Sequence, residues 1–157
     1  MKEFFYEKWT KEWEDYPCAR MGKQFYSRPC ANKAKYVYKL SRAELTRFIK
    51  IISGHNGLFY FKNKVDPEIN SICRFCLEDD ETFYHFITNC PVMRLSRQDI
   101  LLDKDITNDM DWSVRDLLLF SHKPGVQEAL NGETGLDFYE NLHQHETLES
   151  SVSDDGG

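Results

Sequence analysis

Four residues in the middle of this chain have the types and the spacing of a metal site. The segment reads Cys73-Arg-Phe-Cys76, then His85, then Cys90-Pro91, which is C-x2-C-x8-H-x4-C. Thiolate and neutral imidazole are the ligands that Zn2+ takes in tetrahedral sites, and a Cys3His set is a common closed structural form. Two residues between Cys73 and Cys76 make a tight turn that aims both sulfurs at one point. With all four positions filled by protein, no place remains for a substrate or an activated water. The pattern therefore predicts a structural Zn2+ ion bound by Cys73, Cys76, His85 and Cys90, and argues against metal catalysis. The alternative is a set of buried cysteines and a surface histidine with nothing in common.

The second ligand pair needs a turn. A helix capped by Asp80 and running through Phe83–Ile87 puts His85 and Cys90 on nearly opposite sides if it continues. Asn89 reads as a left-handed helix stop, and Pro91 disfavours helical backbone at Cys90. The chain is expected to double back after Thr88 and return Cys90 to the metal.

The elements around this segment read as mostly α: a small zinc-stapled helical domain with a CCHC site. Phe5, Trp9 and Trp13, four apart in residues 3–15, predict a helix with an aromatic stripe, ended by Pro17. Residues 18–40 have no clean period and read as a long loop, with a short extended piece at Tyr36-Val-Tyr-Lys-Leu40. Ser41 and Glu44 form a capping box ahead of a helical stripe of Leu45, Phe48, Ile49 and Ile52, and Gly54 closes it. Residues 58–62 fit helix or strand. Residues 92–102 and 112–121 predict short amphipathic helices, with further turns at 126–130 and 136–145. The division expected is a linker helix over 1–17, a zinc-binding domain over 18–132, and a poorly ordered acidic tail over 133–157.

With 157 residues, 41% of them apolar and 29% charged, the chain has the length and composition of one soluble domain. No apolar run approaches the ~18 residues of a membrane span, and the charged N-terminus is unlike a signal peptide. A reducing compartment, nuclear or cytoplasmic, is expected, with the five cysteines read as metal ligands plus free thiols.

Charge is divided unevenly. Residues 1–65 hold 14 basic and 6 acidic residues, and residues 66–157 hold 6 basic and 20 acidic. Residues 20–50 alone hold nine basic residues and one acidic one, Glu44. Such a block is an electrostatic footprint for nucleic acid, or else a solvated face that pairs with the acidic half. If RNA or DNA binds, the expected contacts are Lys23, Arg28, Lys33, Lys35, Lys39, Arg42 and Arg47, with Tyr26, Tyr36 and Tyr38 for stacking. The acidic run Glu78-Asp-Asp-Glu81 inside the metal loop is expected to repel phosphate.

Other constellations read as structural. His55 reads as a helix-end residue, and Cys18 and Cys30 as free thiols. Asp103, Asp105, Asp109 and Asp111 lie in a polar stretch with no strand to fix a two-metal centre. His143-x-His145-Glu146 falls in the acidic tail.

Taken together, several of these motifs resemble a known family. Leu40-Ser-Arg-Ala-Glu-Leu-Thr-Arg47, Ile52-Ser-Gly-His-Asn-Gly-Leu58, Cys73-x2-Cys76, Glu81-Thr82 with His85, and Cys90-Pro91 follow one another as in the C-terminal region of non-LTR retrotransposon polyproteins. That region follows the reverse transcriptase and RNase H domains, and the resemblance extends from about Trp9 to Gly132. Trp9 and Trp13 are similar to the helical linker that leaves RNase H. The chain departs from the family at Cys18-Ala-Arg-Met-Gly-Lys23, where a Gly-Arg-Gln-Thr-Lys-like stretch is typical. The resemblance implies a non-enzymatic, zinc-stapled helical module that contacts nucleic acid. It leaves two alternatives: a domesticated host-gene module that docks a protein through the N-terminal aromatic helix, or an inert element remnant.

Overall fold

The computed structural model describes residues 2–17, 20–101 and 112–133. Nine helices lie among the described residues: α1 (Lys2–Asp15), α2 (Arg20–Phe25), α3 (Ala31–Val37), α4 (Arg42–Ser53), α5 (Phe59–Val65), α6 (Phe83–Thr88), α7 (Arg94–Leu101), α8 (Val114–Ser121) and α9 (Val126–Asn131). The protein is mostly α, as its pattern predicts. The extended pairing described is a single antiparallel bridge, Ile72 to Asp80.

α4 forms where the sequence places it. Ser41 accepts from the Glu44 amide, Glu44 returns a bond to the Ser41 amide, and Gly54 closes the helix at φ 74°. Its buried face is rotated from the expected one. Phe48 and Ile51 are buried, Leu45 and Ile52 half-buried, and Ile49 is 50% exposed. A step of about 100° per residue explains this, because Ile49 points well away from the Phe48–Ile51 direction.

The expectation of a loop over residues 18–40 is corrected: this region holds α2 and α3, and Tyr36 and Val37 end a helix rather than start a strand. Neither helix advertises itself locally. Cys30, at the N-cap of α3, makes no side-chain capping bond. Helices of six or seven residues do not stand alone and depend on tertiary packing. That packing comes from α4 for α2 and from α8 for α3, while α1 ties down the connection between them, its Trp13 Nε1 donating to the Tyr26 carbonyl and its Tyr6 hydroxyl to that of Pro29. Lys23 in turn caps the carbonyls of Glu14 and Tyr16 at the end of α1. The outer part of the α1 stripe is not core: Phe5 and Trp9 stay exposed.

The core is a relay of rings centred on α6. Phe83 meets Phe25 of α2 and Phe120 of α8, Phe120 meets Trp112, and Phe86 meets Phe75 of the metal loop. Phe83, Phe86 and Phe120 are fully buried, each contributing roughly 1.5–3 kcal/mol of apolar burial. α8 is held by a second capping box, Ser113 with Asp116, and packs on α3, α4, α7 and α9. The short α6 thus belongs both to the core and to the metal loop.

α9 is fastened by a close backbone crossing. The Gly57 amide donates to the Leu130 carbonyl, and a Cβ at Gly57 would lie 2.1 Å from the Gly132 nitrogen. Gly57→Ala must push these backbones apart and is expected to cost about 1–3 kcal/mol. Gly22→Ala is the control, since its Cβ would meet Trp13 at an ordinary 3.5 Å. Urea unfolding should show a lower midpoint for the first variant and little change for the second.

Candidate metal centre

The first ligand pair sits on a turn tied at its base. Around the Ile72–Asp80 bridge, the Cys73 amide donates to the Asp79 carbonyl at 2.8 Å and the Glu81 amide to the Ser71 carbonyl at 2.7 Å. The Ser71 hydroxyl also bonds the Asp80 carboxylate. Inside this base the chain folds sharply, with the Leu77 amide returning to the Cys73 carbonyl. Leu77 follows the second cysteine at φ 60°, a left-handed conformation that is unfavourable for leucine. The loop must enforce this conformation to aim Cys76 at Cys73.

The second pair is presented by α6 and the turn that follows it. The helix is capped by Thr82, whose hydroxyl accepts from the His85 amide, and not by Asp80 as the sequence suggests. Asp80 instead belongs to the bridge and bonds Ser71. The turn also differs from expectation, because Asn89 has φ −115° and is not left-handed. The amides of both Asn89 and Cys90 donate to the His85 carbonyl, at 3.0 and 2.9 Å. This widened right-handed turn brings Cys90 back beside His85. Arg97 on α7 locks it by donating to the carbonyls of Phe86 (2.9 Å) and Cys90 (2.7 Å).

The four donor atoms converge. The sulfurs of Cys73, Cys76 and Cys90 and a ring nitrogen of His85 all lie within 4.8 Å of one another. A tetrahedron with bonds of ~2.3 Å has edges near 3.8 Å, so small movements close this set on one ion. Cys73, His85 and Cys90 are buried and Cys76 half-buried. Nε2 of His85 lies 3.2 Å from the Cys76 sulfur. Nδ1 is buried without a hydrogen-bond partner and faces an Asp79 carboxylate oxygen at 3.7 Å. A proton on Nδ1 leaves the Nε2 lone pair for the metal, with Asp79 as the outer carboxylate that often orients such a ring.

The donors hold protons unevenly, and an ion must displace the one on Cys73 to bind. The Cys73 thiol donates to the Cys90 sulfur; that bond, and then burial, pushes Cys73 well above the usual thiol range. Accepting the bond holds Cys90 below its ordinary value. Burial keeps His85 below its ordinary value, in the neutral form that ligates. The residues fit a thiophilic metal ion with four protein ligands.

A buried ion pair that the sequence does not signal fastens the loop to the body. Glu81 is fully buried, and its carboxylate takes Arg74 Nε at 2.7 Å and Nη2 at 2.6 Å. It also accepts the amides of Arg74 and Phe59, both at 2.9 Å, the latter in the first turn of α5. The Arg74 guanidinium lies over the Phe59 ring at 4.0 Å and bonds the Glu133 carbonyl. The expectation that Glu81 adds to a phosphate-repelling face is therefore corrected, while Glu78 and Asp79 are exposed.

The role of Arg97 is likewise unannounced in the sequence. Arg97→Ala removes the guanidinium donor from the Phe86 and Cys90 carbonyls, leaving the Met93 amide on the latter, and loosens the turn that carries Cys90. Metal affinity is expected to fall about 10–100-fold, measured by competition with a chromophoric chelator.

The basic residues separate into two groups. Lys23 caps α1, Lys33 stands 4.4 Å above the Tyr26 ring, and Arg47 donates to the Ser121 carbonyl, so these three have structural partners. Arg28, Lys35, Lys39 and Arg42 are exposed. Among the described residues none of these four pairs with a carboxylate. His55 packs on Phe61 just past α4, in keeping with a structural role, and Cys30 is a free thiol. Cys18, the Asp103–Asp111 group, the turns at 136–145 and the tail histidines lie outside the described residues. No described helix is long and apolar enough to cross a membrane. No protein family, curated protein or solved structure matches this chain.

Proposed function

We propose that the chain is a non-enzymatic module in which one Zn2+ ion on Cys73, Cys76, His85 and Cys90 staples short helices together, so that residues 20–50 present a basic surface to nucleic acid. The zinc assignment is supported by the donor set: three sulfurs and one imidazole nitrogen, mutually within 4.8 Å and largely shielded from water. Bound zinc would leave the centre at about −1, with Glu78 and Asp79 beside it, so phosphate is expected elsewhere.

One observation carries the nucleic-acid reading. Arg28, Lys35, Lys39 and Arg42 are exposed, and no described carboxylate neutralises them. The motifs shared with the C-terminal region of non-LTR retrotransposon polyproteins point the same way and suggest a module derived from such an element, acting in the nucleus or cytoplasm. Binding should weaken log-linearly with salt. The Lys39→Glu/Arg42→Glu variant should flatten that slope by about 0.7–0.9 for each phosphate it no longer neutralises. Both residues lie on the surface, so the fold should survive. Failure of RNA and DNA alike to bind the metal-loaded chain at low salt would overturn the reading.

The exposed aromatic face of α1 favours a second reading, a protein-docking module. It predicts partner binding that is insensitive to the charge reversal.

A further inference from the structure

Beside the basic segment, α1, the α2–α3 connection, α3 and α4 enclose an open groove of about 340 Å3. Trp9, Trp13, Tyr26, Tyr38 and Phe48 line it. Its volume is at the small end of the range for ligand pockets, about 300–1,000 Å3. Two of the rings are held by the fold: Trp13 through its bond to the Tyr26 carbonyl, and Phe48 by burial. Two others are open to solvent, Trp9 at 50% and Tyr38 at 88% exposure. Large rings in such positions are surfaces for something to cover them.

The charge around the groove indicates what that is. Arg28 and Lys33 line it, and among the described residues no acidic one does. Lys35 and Lys39 are exposed on and just beyond α3. Five of the eleven lining residues carry aromatic rings, beside the smaller apolar side chains of Pro29, Cys30, Ala34 and Val37. A wall of flat rings among cations suits planar, phosphate-bearing ligands better than the branched side chains of an incoming helix. Base stacking on aromatic side chains beside a positive track is how single strands are held without regard to sequence. A duplex cannot use such a groove, because its base faces are already covered by their neighbours.

We infer that this groove is a stacking site for single-stranded nucleic acid, in which unpaired bases lie on Trp9 and Tyr38 while Arg28, Lys35 and Lys39 take the flanking phosphates. The inference rests on the nucleic-acid reading above and narrows it to unpaired strands. It also joins the aromatic stripe of α1 and the basic segment in one surface. Tyr36, though exposed, does not line the groove.

The test uses the full metal-loaded chain with fluorescein-labelled 12-nucleotide oligo(U), oligo(dT) and a 12-base-pair duplex, across a salt series. Single strands should bind more tightly than the duplex and quench the emission of Trp9. Trp9→Ala and Tyr38→Ala should each weaken single-strand binding roughly 5- to 150-fold and leave the salt slope unchanged. Trp9→Phe should retain most of the affinity. Trp9 and Tyr38 are used because Trp13 has a structural bond; metal content and circular dichroism establish that each variant is folded.

Salt-dependent binding that both alanine variants retain in full would overturn the groove and leave the basic-segment reading standing, as would a duplex bound as tightly as the single strands. Absence of binding by any oligonucleotide at low salt would overturn both. A synthetic peptide of residues 134–145, acidic and carrying Leu136, Phe138, Tyr139 and Leu142, is the competing occupant. Quenching by that peptide together with exclusion of the oligonucleotides would assign the groove to protein.

Discussion

Cys90→Ser is expected to abolish the folded state of the metal loop and with it most of the cooperative melting transition. Structural zinc of this kind contributes about 10–16 kcal/mol to the folding of small domains, against a typical net stability of about 5–15 kcal/mol. Serine offers a poorer ligand at a position that is fully buried. The damage should not stay local, because α6 supplies His85 to the site and Phe83, Phe86 and Ile87 to the core. Near-ultraviolet circular dichroism should lose its aromatic signal in the variant, and in the parent on adding a strong chelator. A variant that melts like the parent would place the stability in apolar packing alone.

Glu81→Ala is expected to be the most damaging single change outside the ligands, at about 3–5 kcal/mol. It strands the Arg74 guanidinium in the interior and removes the acceptor of two backbone amides, those of Phe59 and Arg74. A buried pair is poor evidence of net stabilisation, since desolvation offsets much of the attraction. Loss of one partner is another matter. The double variant Arg74→Met/Glu81→Leu should therefore recover part of the loss, though not all, because the two amides stay unsatisfied. Urea midpoints of the single and double variants decide this. A loss below about 1 kcal/mol for Glu81→Ala would mean that water or rearrangement satisfies Arg74 in its absence.

These two sites differ in how far the sequence announces them. The ligands are legible because soft donors at short, fixed spacing are rare without a metal. The capping box at Ser41 and Glu44 is legible for a similar reason, since its bonds span three residues. Glu81 is not. It stands at the end of an acidic run and reads as solvated, and its partners are amides and a guanidinium that the bridge and α5 bring to it. Arg97 is hidden in the same way, because its acceptors are carbonyls that carry no residue identity. α2 and α3 are hidden because their stability comes from α4 and α8 across the chain and not from their own period. The turn at Cys90 shows the reverse error. Its destination is legible, but the route runs through a shared His85 carbonyl and not through a left-handed Asn89.

The basic segment is an intermediate case. Its composition is plain, yet charge alone does not separate a binding surface from side chains at work within the fold. Lys23, Lys33 and Arg47 are at work in the fold, and Arg28, Lys35, Lys39 and Arg42 are exposed.

The most direct test of the staple is the mass of the folded chain. Native mass spectrometry of freshly purified, reduced protein should show one zinc per chain in the compact charge states. Acid should release it and shift the distribution to extended states. A compact chain at the metal-free mass, unchanged by added zinc or chelator, would contradict the closed Cys3His centre at the heart of this fold.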